Sequence, residues 1–167
     1  MSLLRLASSA LLIALGCEAP APGRADSLPV TREPQTVTDA DSLRLSLDLP
    51  AEVAPGAPVP ITLRAENVAG RPLDLYLRGR TVAFDVTVES AAGETLWRRL
   101  EGEVIPAIVQ VRTLAPGERL ELRATWDQRR RSGVPAGPGD YTVRGALLTD
   151  APEPLPTPPA QLRIRDR

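Results

Sequence analysis

Three arginines in succession, Arg129, Arg130 and Arg131, followed by Ser132, are the densest chemistry in this 167-residue sequence. They stand in Asp127-Gln-Arg-Arg-Arg131-Ser-Gly133-Val-Pro-Ala. Three adjacent guanidinium groups cannot all point inward. The expectation is an exposed loop that offers arginine to a proteinase pocket or another anionic protein surface. The competing reading is a solvated connection between strands. With only Pro135 and Pro138 to stiffen one side and no disulfide, such a loop is expected to be cut more readily than it inhibits. Catalytic groups are not assembled. There is no histidine, so no Ser–His or Cys–His pair and no imidazole metal site can form. The single cysteine, Cys17, excludes an intrachain disulfide. Asp39 with Asp41, and Glu101 with Glu103, read as solvated surface rather than acid–base pairs. Glycines fall singly in turns, so no phosphate loop is present. The sequence therefore predicts no enzyme: no catalytic residue, no metal and no cofactor. Twenty basic residues, every one arginine, face 21 acidic ones for a formal charge of −1. That balance supplies no basic face for nucleic acid.

The elements that must position the arginine loop flank it. Ala115-Pro116-Gly117-Glu118 is a turn in which proline presets φ and glycine accepts the positive φ that follows. Leu120, Leu122, Ala124 and Trp126 then alternate with Glu121, Arg123 and Thr125, the period of a half-buried strand. Pro138-Gly139-Asp140 is a second turn, and Tyr141, Val143 and Gly145 alternate with Thr142 and Arg144 after it. Trp126 and Tyr141 are two of only five aromatic residues. Burying each ring stabilises by about 2–3 kcal/mol. Trp97 and Trp126 both read as core side chains.

The same alternation recurs upstream. Leu43, Leu45, Leu47 and Leu49 form one row; Val59, Ile61, Leu63 and Ala65 another, with Pro60 marking an edge or a strand start. Leu73, Leu75 and Leu77 follow. Val82, Phe84, Val86 and Val88 alternate with Ala83, Asp85, Thr87 and Glu89. Ala91-Ala-Gly93 is a hairpin turn into Thr95-Leu96-Trp97-Arg98, and residues 105–113 are extended. Pro152, Pro154, Pro156, Pro158 and Pro159 forbid helix and sheet ladder and predict a stiff loop. Leu162 and Ile164 close the chain as an edge strand. Short strands with turn signals every eight to twelve residues predict an all-β fold: an immunoglobulin-like antiparallel β-sandwich of about 7–9 strands. Tyr141 is the candidate for the tyrosine that hydrogen-bonds back across a corner in such folds.

The N-terminus reads differently. Residues 1–16 hold one early base, Arg5, and an apolar run too short to span a bilayer, the pattern of a signal peptide. Ala14-Leu15-Gly16-Cys17 resembles the bacterial lipoprotein lipobox, which implies lipidation of Cys17; plain secretion and a retained anchor are the alternatives. Residues 17–41, rich in proline and poor in bulky apolar side chains, read as a tether. Residues 42–167 form the β domain. The expected location is outside the cytoplasm, lipid-anchored in a bacterial cell envelope, with the membrane held through the N-terminal lipid.

Residues 63–147 resemble the intracellular proteinase inhibitor family of the BsuPI type. The pieces that carry this are Asn67 with Gly70-Arg-Pro72-Leu73, Phe84-Asp-Val86, Leu96-Trp97-Arg98, Leu114-Ala-Pro116-Gly117-Glu118, Leu120, Trp126-Asp127, Val134-Pro135 and Pro138-Gly139-Asp-Tyr141-Thr-Val143. The resemblance implies an immunoglobulin-like sandwich and inhibition of a serine proteinase. The expected function is a non-enzymatic, proteinase-inhibitor-like module that binds a protein partner through its loops, Arg129, Arg130, Arg131 and Ser132 foremost. The alternative is a structural or assembly module of a bacterial envelope complex.

Overall fold

The computed structural model describes residues 42–166. Among these, every regular element is a strand: β1 (Leu43–Asp48), β2 (Glu52–Val53), β3 (Val59–Asn67), β4 (Leu73–Arg78), β5 (Phe84–Ser90), β6 (Thr95–Arg98), β7 (Val109–Leu114), β8 (Arg119–Trp126), β9 (Gly139–Leu147), β10 (Leu155–Pro156) and β11 (Ala160–Ile164). One sheet has the order β1-β3-β8. The facing sheet has the order β2-β11-β9-β5-β6, with β10 against β9, while β4 and β7 pair with each other. All pairings are antiparallel except β2 with β11. The chain is thus the expected all-β, immunoglobulin-like sandwich. Its first strand changes sheets: β1 pairs with β3, and after Pro50 the chain crosses so that β2 joins β11.

Alternation builds the core. Val59, Ile61, Leu63 and Ala65 of β3 are fully buried, and Phe84, Val86 and Val88 of β5 and Val143 and Leu147 of β9 face them from the other sheet. The layers come closest at Gly145. A Cβ there would lie 2.9 Å from Leu47 Cδ2 and 3.2 Å from Leu63 Cδ1, so a side chain would have to displace the ends of both leucines. At one end the layers are joined by Trp126 of β8 and Tyr141 of β9, whose rings meet edge to face at 5.7 Å. At the other end of β3, Asn67 ties that strand to β7 and the turns beside it. Its buried amide donates to Arg71 O and Leu114 O, each at 2.9 Å, and its Oδ1 accepts from Ala69 N. Its backbone carbonyl receives Gly117 N–H at 2.8 Å. Gly117 has φ +76°, as the turn chemistry of Pro116-Gly117 requires.

Four details depart from the sequence reading. Asp85 sits on the polar row of β5 yet is 7% exposed, because its carboxylate accepts from Val86 N, Leu100 N and, at 2.5 Å, Arg98 Nε. Within the segment 105–113, only the residues from Val109 onward are strand. The proline-rich stretch does enter a ladder: Leu155 and Pro156 pair with Leu147 and Ala146. Pro156 needs no donor there, since Thr157 supplies the N–H to Gly145 O. Finally, β11 lies between β9 and β2 rather than at the edge, with Leu162 and Ile164 each 1% exposed.

Candidate partner-binding loop

Residues 127–138 connect β8 to β9, and their anchor is Gln128. It has φ +60° and is the one non-glycine residue with positive φ among those described. That conformation costs about 1–2 kcal/mol for a residue with a Cβ. The side chain compensates, for it is 1% exposed and fully used. Oε1 accepts Gly56 N–H at 2.7 Å, and Nε2 donates to Ala54 O at 2.9 Å and Ala57 O at 2.7 Å. The loop is thereby bolted to the turn Ala54-Pro55-Gly56-Ala57, which is closed by Ala57 N–H to Ala54 O.

Above this anchor the chain forms a small hairpin. Ala136 N–H donates to Gln128 O and Arg130 N–H to Val134 O; Gly133 N–H closes the tip on Arg130 O. Gly133 takes φ +80° to complete the turn. Two core rings hold the base, Trp126 through Nε1–H to Arg129 O at 2.9 Å and Tyr141 through its hydroxyl to Gly137 O at 2.5 Å. The second bond is the corner contact expected of Tyr141. Burial raises the Tyr141 phenol above its ordinary value, while nearby Arg130 opposes the shift.

The four residues singled out in sequence lie together on this hairpin. Arg129, Arg131 and Ser132 are exposed and Arg130 is half-buried. Each guanidinium has an acidic neighbour: Arg129 with Asp127, Arg130 with Glu94 and Arg131 with Glu101. Arg131 N–H also donates to Leu96 O at 2.8 Å, so the hairpin lies along the outer side of β6. The expected looseness is therefore corrected. Hydrogen bonds from Gln128, Trp126 and Tyr141 fix the loop without a disulfide, and a closed turn rather than an extended strand carries Arg131 and Ser132. A proteinase cleft takes extended chain, so the tip is built as a knob. Beside it, a depression of about 540 Å³ separates the hairpin from the turn at Pro55 and Gly56. Sequence reasoning passed over Gln128 and Asp85, since neither breaks an apolar pattern. Cys17 and the tether of residues 17–41 lie outside the described residues. Among the described residues no group of three or more acidic or cysteine side chains is placed to hold a metal ion.

The model of the family described as BsuPI, intracellular proteinase inhibitor, matches residues 45–152. No curated protein sequence matches the chain. Among solved structures, the chain is similar to the Pseudomonas fluorescens alkylpurine DNA glycosylase AlkC bound to DNA containing an abasic site analogue, at 16% identity and TM-score 0.42, covering 75% of this chain and 31% of that one. It is similar to the CARDB domain of the PF1109 protein from Pyrococcus furiosus, solved with di-metal ions, at 12% identity and TM-score 0.39, covering 73% and 91%. It is also similar to Spo0M, a sporulation control protein from Bacillus subtilis, at 12% identity and TM-score 0.42, covering 75% and 50%. The chain thus spans less than a third of the glycosylase and half of Spo0M. The family match corrects one expectation. It is a family of intracellular proteins, which speaks for the cytoplasm and against the exported, lipid-anchored location read from the N-terminus.

Proposed function

The chain belongs to the BsuPI family of intracellular proteinase inhibitors, and from that premise we propose that it is a non-enzymatic module that binds a proteinase through the loop carrying Arg129, Arg130, Arg131 and Ser132. The observation that carries this reading is the combination of an exposed tip with a buried base: Trp126, Gln128 and Ala136 are 0%, 1% and 7% exposed. A knob fixed before contact loses little conformational freedom on binding. Arginine at such a position gives bidentate bonds to carboxylates of the partner.

The test is inhibition of a panel of trypsin-, chymotrypsin-, elastase- and subtilisin-type proteinases, read on small chromogenic substrates. At least one should be slowed, and replacing Arg129, Arg130 and Arg131 together by alanine should weaken that inhibition at least tenfold with the circular dichroism spectrum unchanged. Rapid cleavage within the arginine tip, with no proteinase slowed, would sink the reading.

A further inference from the structure

Exposed aliphatic side chains are concentrated in one stretch. Val104 is 89% exposed, and Ile108, Val109 and Val111 are 40%, 48% and 60% exposed. Val104 lies on the connection between β6 and β7, which is held at both ends and free in the middle. On the upstream side Glu101 N–H donates to Arg98 O and Glu103 N–H to Leu100 O, with Gly102 at φ +75°. Beneath that turn the buried carboxylate of Asp85 takes Leu100 N–H. On the downstream side Gly79 N–H donates to Ile108 O at 2.8 Å, and the ladder of β7 with β4 follows. Between these points no backbone hydrogen bond joins residues 104–107 to other described residues. Pro106 fixes its own φ and steers Ile105 to extended backbone. Ile105 and Pro106 line a depression of about 380 Å³ under the segment, along with Arg99 and Ala83, while Val104 stands out into solvent.

Residues 103–106 belong to no ladder and the chain bends at Ala107; chain that is unpaired and fixed at its ends can be drawn out into a proteinase cleft. The cleft adds it as a strand through main-chain hydrogen bonds, and pockets receive its side chains. Resting on the inhibitor reading above, we propose that residues 103–108 are the segment that enters the cleft of the proteinase, with Val104 in its primary pocket. The partner then selects a small aliphatic side chain there, not arginine, because a pocket floored by a carboxylate has no counter-ion in valine. The arginine hairpin docks beside the cleft. The two surfaces are continuous, for Arg131 pairs with Glu101, two residues before the segment begins. Proteinase subsites at the far end of the segment meet Ile108, and those just past it meet Val109.

The full chain is titrated against an elastase-type proteinase, whose pocket is small, and a trypsin-type proteinase, each assayed on a small chromogenic substrate. Inhibition of the elastase type is expected. Val104→Asp should weaken it at least tenfold, and Val104→Arg should move inhibition to the trypsin type. Both variants should melt as the parent does, since the side chain is exposed. Elastase-type inhibition that survives Val104→Asp but is lost on alanine replacement of the arginine tip would overturn the role of residues 103–108 and leave the inhibitor reading intact. So would inhibition by the parent chain of the trypsin type alone. Cleavage after Val104 with no slowing of turnover would overturn it too. If no form slows either proteinase, the role of residues 103–108 falls, and the inhibitor reading falls with it only if the chymotrypsin and subtilisin types of the panel are not slowed either.

Discussion

Gln128 sets the shape of the arginine loop, and it does so through partners 71 to 74 residues earlier in the chain. Replacing it by alanine removes three hydrogen bonds and leaves Gly56 N–H without its acceptor, while the left-handed backbone cost remains. At about 1 kcal/mol per bond, Gln128→Ala should lower stability by about 3 kcal/mol, measured as a shift in urea midpoint with an unchanged slope. Trypsin should cut the variant at Arg129 to Arg131 faster than the parent. Nothing in the sequence marked this residue. A lone glutamine between Asp127 and Arg129 looks like any loop amide, and its value comes from a turn far away in the chain. Tyr141 was legible because its chemistry is local: a tyrosine just after a Pro-Gly turn can reach only the carbonyls behind it. Asp85 was hidden for the opposite reason. Its place in the alternation says outward, and only the return of residues 98–100 over it makes burial affordable.

Strands and turns obey short-range rules, so most of them could be read directly. The rows Val59-Ile61-Leu63-Ala65 and Phe84-Val86-Val88 are buried as their period of two requires, and glycine after proline bends the chain at Gly56 and Gly117. What the pattern could not supply is which strands become neighbours. The final strand reads as an edge from its own residues, and only the sheet change of the first strand places β2 on its outer side. Gly145 shows the same limit. In sequence it is one more member of an alternating row; in the fold it is where the two layers touch. Gly145→Ala must push Leu47 and Leu63 aside, a strain of about 1–3 kcal/mol for an overfilled core. A thermal melt should show the loss, and Leu47→Ala in the same chain should recover part of the Gly145→Ala penalty.

Across the whole molecule, charge is arranged to be quiet. Most described arginines on the outer faces have an acid opposite, and such exposed pairs contribute at most about 1 kcal/mol each. Two carboxyls nonetheless respond to the arrangement. Glu118 is held below the ordinary carboxylate value by Ala115 N–H and then by Arg112; Glu121 is held below it by Arg64 and then Arg123. A folded-state value below the unfolded one adds stability that is complete above the unfolded value and vanishes as pH falls through the folded value. The urea midpoint should therefore be flat from pH 7 to about pH 5 and decline below about pH 4.5. Glu118→Gln with Glu121→Gln should make the acid decline shallower.

The amide of Arg131 that rests on Leu96 O has a reach beyond recognition. An outermost strand with bare carbonyls invites another chain to stack against it, and here the hairpin occupies that place. Any redesign that shortens the hairpin, or puts proline at position 131, opens the flank of β6, and concentrated solutions of such a protein would polymerise through it. The residues offered to a partner thus also occupy a main-chain acceptor on the open side of β6.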